Sequence, residues 1–127
     1  MKPEARQDQL LVQQVGDELV IYDQERHRAH RLNRTAALVW RYCDGQTTVE
    51  DMTRQLEREG EGDLPADPEV VWLALEGLSR ARLLRERATR PAEVARVPRR
   101  DVIRRLGLAG ALALALPIVT SIDMLTP

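Results

Sequence analysis

Two histidines, His27 and His30, and a single cysteine, Cys43, are the residues from which nucleophilic or metal chemistry would have to be built. On an extended strand, side chains three apart point to opposite faces, so the two imidazoles cannot share one metal without a bend. Cys43 falls near the end of an expected helix, where a cysteine usually serves as a small buried hydrophobe. Nothing in the sequence nominates a base or an oxyanion hole for it. One cysteine also rules out a disulfide framework and a multi-cysteine zinc site. The sequence has no glycine-rich phosphate loop and no nucleophile-elbow motif. The carboxylate pairs Glu50–Asp51 and Glu57–Glu59 read as solvated helix faces. The expectation is a protein that is not an enzyme and uses no cofactor or metal.

The elements that would carry any other function follow from periodicity. The 127 residues are 43% hydrophobic and 31% charged, enough for one small domain and an appendage. Residues 10–15 (LLVQQV) and 18–23 (ELVIYD) read as two strands joined at Gly16-Asp17, where glycine tolerates the turn's positive φ. The run HRAHRL is a third strand, with Ala29 and Arg31 on one side and Arg28, His30 and Leu32 on the other. Its polarity, after two apolar strands, marks it as an edge strand with unpaired backbone groups.

Helical periodicity takes over from there. Asn33 caps a helix through TAALVWRYC that ends at Asp44-Gly45. Thr47 and Glu50 fit a capping box for a second helix with Val49, Met52 and Leu56 on one face. Asp67-Pro68 opens a third helix through EVVWLALEGLSRA. Its residues Val70, Val71, Ala74, Leu75 and Leu78 span an arc of about 140°, and Leu73 widens it to about 200°, where a core-facing stripe needs roughly 100°. Either the helix is deeply buried, or one flank packs the core while the other lines a groove. The resulting division is residues 1–9 as a flexible lead-in, 10–87 as the domain, 88–98 as a two-proline linker and 99–127 as a tail.

Charge chooses among binding functions. Residues 1–89 carry 13 basic against 17 acidic side chains, a poor footprint for a phosphate backbone. A sheet and three helices admit, as the alternative, a winged-helix DNA-binding regulator with the third helix in the groove. That helix, however, offers Glu69, Trp72, Leu73 and Glu76 where base edges call for Arg, Lys, Asn or Gln. An edge strand beside a helix with surplus apolar surface instead suits an extended peptide, held by main-chain pairing and by side-chain pockets.

The ordered set Leu32-Asn33-x-Thr35-Ala36, Trp40, Asp44-Gly45, Thr48-Val49, Leu56, Leu78 and Leu83-Leu84 resembles the PqqD family of peptide chaperones, or RiPP recognition elements, over about residues 8–86. The resemblance implies an α+β, winged-helix-like fold: a three-stranded antiparallel sheet followed by three helices. It implies binding of the leader segment of a ribosomally made precursor peptide and its presentation to a modifying enzyme, often a radical SAM protein. Carried over by position, the peptide would meet Arg28, Ala29, His30, Arg31 and Leu32 on the strand and Val71, Leu75 and Leu78 on the helix, with Trp72 at the rim. Asn33, Thr35, Asp44, Gly45 and Thr48 match the motif best, and caps and turns account for them.

The tail is the departure from simple family members. Arg99, Arg100, Arg104 and Arg105 precede an uncharged run from Leu106 to Ile122. As a helix this apolar run would reach about 25 Å, against a hydrocarbon core of roughly 30 Å. With no signal peptide at the N-terminus, the expectation is a cytoplasmic protein tethered to the inner face of the membrane through residues 106–122, its arginines on anionic headgroups. The competing reading is a tail that folds back over the groove the leader would use.

Overall fold

The computed structural model describes residues 2–60, 64–88, 100–101 and 116–124. A hairpin opens the fold, β1 (Leu10–Val15) against β2 (Glu18–Asp23), and β3 (Arg28–Leu32) follows. Three helices come next, α1 (Arg34–Tyr42), α2 (Val49–Gly60) and α3 (Pro68–Arg80). A fourth strand, β4 (Val119–Asp123), returns to the sheet from the tail. The sheet is antiparallel throughout, in the order β1-β2-β3-β4.

The turn at Gly16-Asp17 forms as its residues dictate: Val15 pairs with Glu18, and Gly16 takes φ +64°. Along β2 the alternation sends Leu19, Ile21 and Asp23 inward, and all three are fully buried. Leu32 from β3 joins them, with Val39 and Trp40 from α1, Met52 and Leu56 from α2, and Val71, Leu75 and Leu78 from α3. The Trp40 indole Nε1 donates to the Leu83 carbonyl at 3.0 Å, which ties α1 to the turn after α3.

The helix caps agree with the sequence in two of three cases. Asn33 accepts from the Ala36 N–H at 3.1 Å, and Asp67 accepts from the Glu69 N–H at 2.8 Å ahead of Pro68. The cap of α2 is Thr48 rather than Thr47: the Thr48 hydroxyl accepts from Asp51 N–H, while Thr47 hydrogen-bonds Asp44. Gly45 does not directly follow the cap of α1, which is Cys43; it turns two residues later at φ +78°.

Three further expectations are corrected. β3 is not an edge strand, because β4 pairs along its other side; the edges of the sheet are β1 and β4. Leu11, Val12 and Val15 are about half exposed, while His30 and Leu32 on β3 are buried. Apolar composition disguised β1, because an edge strand can expose apolar side chains singly at small cost. Residues 4–6, expected in a loose lead-in, dock on the domain through bridges from Glu4 to Asp44 and from Ala5 to Leu84. Finally, the run 106–122 is not one apolar helix, since its end forms β4. No helix among the described residues is long and apolar enough to cross a membrane. Arg99, Arg104, Arg105 and residues 106–115 lie outside the described residues, and Arg100 is exposed. Of the expected linker, Ala88 is described: it is buried, and its N–H donates to the Ser79 hydroxyl at 2.9 Å.

Candidate functional site

An antiparallel strand sends alternate N–H groups to opposite sides, which decides what β3 can offer a second strand. On the β4 side the ladder runs from Asn33 N–H, which donates to the Ile118 carbonyl at 3.2 Å, to Met124 N–H, which donates to the His27 carbonyl at 2.8 Å. Counting by twos between those ends, the main-chain groups of Arg31 and Ala29 face Thr120 and Ile122. Leu32–Val119, His30–Ser121 and Arg28–Asp123 are then the closely spaced pairs whose side chains turn inward, toward the helices. The two faces of β3 match the alternation read from the sequence. Ala29 and Arg31 lie on the outer face, where Arg31 Nε donates to Glu18 at 2.7 Å.

Beside this ladder lies a cleft of about 290 Å³, lined by Leu73, Gly77 and Arg80 of α3 and by Arg28, Val119 and Ser121 of the sheet. The helix residues carried over for the groove do not line this cleft. Val71, Leu75 and Leu78 are completely buried among core side chains, and Trp72 is buried too rather than standing at a rim. The sequence signal for the residues that line it was Leu73, the position that overwidened the apolar arc, and its neighbour one turn on, Gly77. A Cβ placed on Gly77 would lie 3.3 Å from Val119 Cγ2, so the absent side chain lets β4 rest close on the helix.

Asn33 does more than cap. Its Nδ2 donates to the Leu116 carbonyl at 2.8 Å, and its Oδ1 accepts from Ile118 N–H at 3.1 Å as well as from α1. Leu116 is buried, so the tail is pinned just ahead of β4.

Burial sets the electrostatics of the site. Desolvation, reinforced by the charge of Arg28 and of Arg6 and opposed by Asp23, lowers the His30 imidazole below its ordinary value near 6.5. His30 Nδ1 lies 2.7 Å from the Ser121 hydroxyl, while His30 Nε2 and Arg28 Nε are buried without a hydrogen-bond partner among the described residues. Below about pH 6.5 the unfolded chain takes up a proton that folded His30 resists. Stability that is complete above that pH is thus lost as pH falls toward the lower folded value. Urea unfolding near pH 5.5 should show a lower midpoint than near pH 7.5, and His30→Gln should shrink that difference. An undiminished difference in His30→Gln would assign the effect elsewhere.

The other candidates for chemistry are placed apart. His27 sits in the β2–β3 turn at φ +53°, with Nδ1 3.3 Å from the Tyr22 hydroxyl. Cys43 is buried, donates to the Val39 carbonyl at 3.2 Å, and has its thiol pushed up to about 12 by burial. No group of three or more metal-ligating side chains occurs among the described residues. A reading helix is missing as well: α3 leaves only Pro68 and Arg80 fully exposed, and its Glu69 and Trp72 are buried.

The fold and the site together define a small α+β domain whose third strand pairs with a further extended segment beside its last helix. The chain belongs to the PqqD family: the model of that family, described as coenzyme PQQ synthesis protein D, matches residues 18–84. Neither the curated proteins nor the solved structures gave a match.

Proposed function

We propose that this protein is a non-catalytic chaperone that binds the leader segment of a ribosomally made precursor peptide and presents it to a separate modifying enzyme, a radical SAM protein being the partner class the family suggests. The observation that carries the reading is the hydrogen-bonding side of β3 that faces away from β2 and takes an extended strand. Its Ala29 and Arg31 main-chain groups serve an extended strand laid beside α3, and β4 is seated there in that manner. Membership of the PqqD family supports the same role. Strand addition supplies affinity through main-chain bonds, and the inward side chains of Arg28, His30 and Leu32, with Leu73 and Gly77 across the cleft, supply selection. Work on a cytoplasmic precursor would place the domain in that compartment, with residues 99–115 as the segment to examine for membrane contact.

Amide exchange and chemical-shift mapping test the reading. The full chain is titrated with leaders from precursor genes adjacent to its own, and separately with a duplex DNA at low and high salt. Leader binding should shift the Ala29 and Arg31 amides and change little with salt. DNA binding that falls steeply with salt, without any response to leaders, would reverse the assignment.

A further inference from the structure

We propose that β4 is the chain's own stand-in for the leader, and that the site selects strands of the same pattern: a β-branched apolar residue, a hydroxyl residue and an acid at alternate positions. The inference rests on the leader-binding reading of β3 and specifies what that strand takes. Three inward pairs define the pattern. Val119 stands opposite Leu32 and against Gly77, where a larger helix residue would collide with it. Ser121 stands opposite His30 with its hydroxyl 2.7 Å from Nδ1. Asp123 stands opposite Arg28 on the same face. Thr120 and Ile122 point to the other face of the sheet, away from α3, so the site reads nothing from them.

The same geometry makes the occupancy exclusive. Each N–H and carbonyl of Ala29 and Arg31 on this side faces one strand, and β4 already faces both residues. An incoming leader therefore displaces β4 before it can pair with β3. The exchange is light in apolar burial, because four of the five β4 residues are exposed and only Val119 is half-buried. Leader affinity is set by competition with an attached strand, and the chain stays closed to extended segments that lack the pattern.

The test uses a dye-labelled peptide of residues 116–126, LPIVTSIDMLT, added to three full-length forms. One is wild type. The second is Thr120→Pro with Ile122→Pro, which removes from β4 the two N–H groups that face β3. The third is Arg28→Cys with Asp123→Cys, whose oxidation ties β4 down across a closely spaced pair. The proline form should bind the peptide at least about tenfold tighter than wild type. The oxidised form should not bind, and reduction should restore binding. Ser121→Ala or Asp123→Ala in the peptide should each weaken binding about 3- to 10-fold, the worth of one hydrogen bond or charged contact. Equal binding by wild type and the proline form, still lost on oxidation, would show that β4 does not compete for the site while leaving strand capture by β3 intact; equal binding by the oxidised form as well would put the peptide elsewhere and overturn both readings. Equal binding of a scrambled peptide would remove the pattern alone. Binding to none of the forms would sink the leader reading itself.

Discussion

Replacing Arg6 with methionine is expected to lower the stability of the fold by about 3 kcal/mol, the lower end of the roughly 3–5 kcal/mol that follows loss of one partner from a buried ion pair. The Arg6 guanidinium holds Asp23 with two bonds, Nη1 to Oδ2 at 2.8 Å and Nη2 to Oδ1 at 3.1 Å, and Asp23 is fully buried. Without Arg6, Asp23 would keep the Glu25 and Arg26 N–H groups at 3.0 and 3.1 Å, with the Arg26 guanidinium 3.6 Å away. Those remaining partners hold the loss near the lower figure. A double variant with Asp23→Asn keeps an oxygen for the turn amides and removes the charge, so it should regain much of the loss. Denaturant unfolding of the three proteins measures the coupling. Independent, additive losses would show that the pair is not coupled.

The pair also sets the acid limit. The Arg6 hydrogen bond, with help from the turn amides, holds Asp23 down at about 2 from an ordinary 3.8. Its contribution is complete above about pH 4 and disappears as pH falls through about 2. The His30 effect acts at higher pH, so the two can be separated in one titration.

The second large effect is at Leu75. Leu75→Asp should abolish the cooperative unfolding transition, because it places an unpaired carboxylate where a fully buried leucine stood. The expected loss exceeds about 4 kcal/mol, beyond what a small domain can spare. Leu73→Asp, on the half-buried flank that lines the cleft, should leave a cooperative transition with a modest shift. Circular dichroism during heating distinguishes the two. A well-folded Leu75→Asp protein would mean that Leu75 faces the groove after all.

The contrast between Leu73 and Leu75 shows where sequence reasoning reached its limit. Periodicity located α3 and recognised that its apolar arc was too wide, since that information is local. Choosing which flank faces the core depends on where α1, α2 and the sheet pack, which the helix's own residues do not encode. The alternation of β3 was legible for the same local reason, down to which residues share a face. Its neighbour was not: Val119–Asp123 meets β3 across some 90 residues of chain, and VTSID is too short and too close to an apolar run to announce itself as a strand. Arg6 and Asp23 escaped because two charged residues 17 positions apart look like ordinary surface until the fold buries them together.

Asn33 carries a consequence for fidelity. Its carboxamide oxygen is shared between the first turn of α1 and the Ile118 N–H, while its amide nitrogen grips the Leu116 carbonyl. A strand's side chains change sides with every residue, so a slip of one position would turn Thr120 and Ile122 toward α3, lift Val119 off Gly77 and part Ser121 from His30. By holding Ile118 at one fixed place, Asn33 sets the phase of everything after it. A side chain that starts a helix thereby also works as the zero mark of a ruler, and a strand laid on β3 is counted from it.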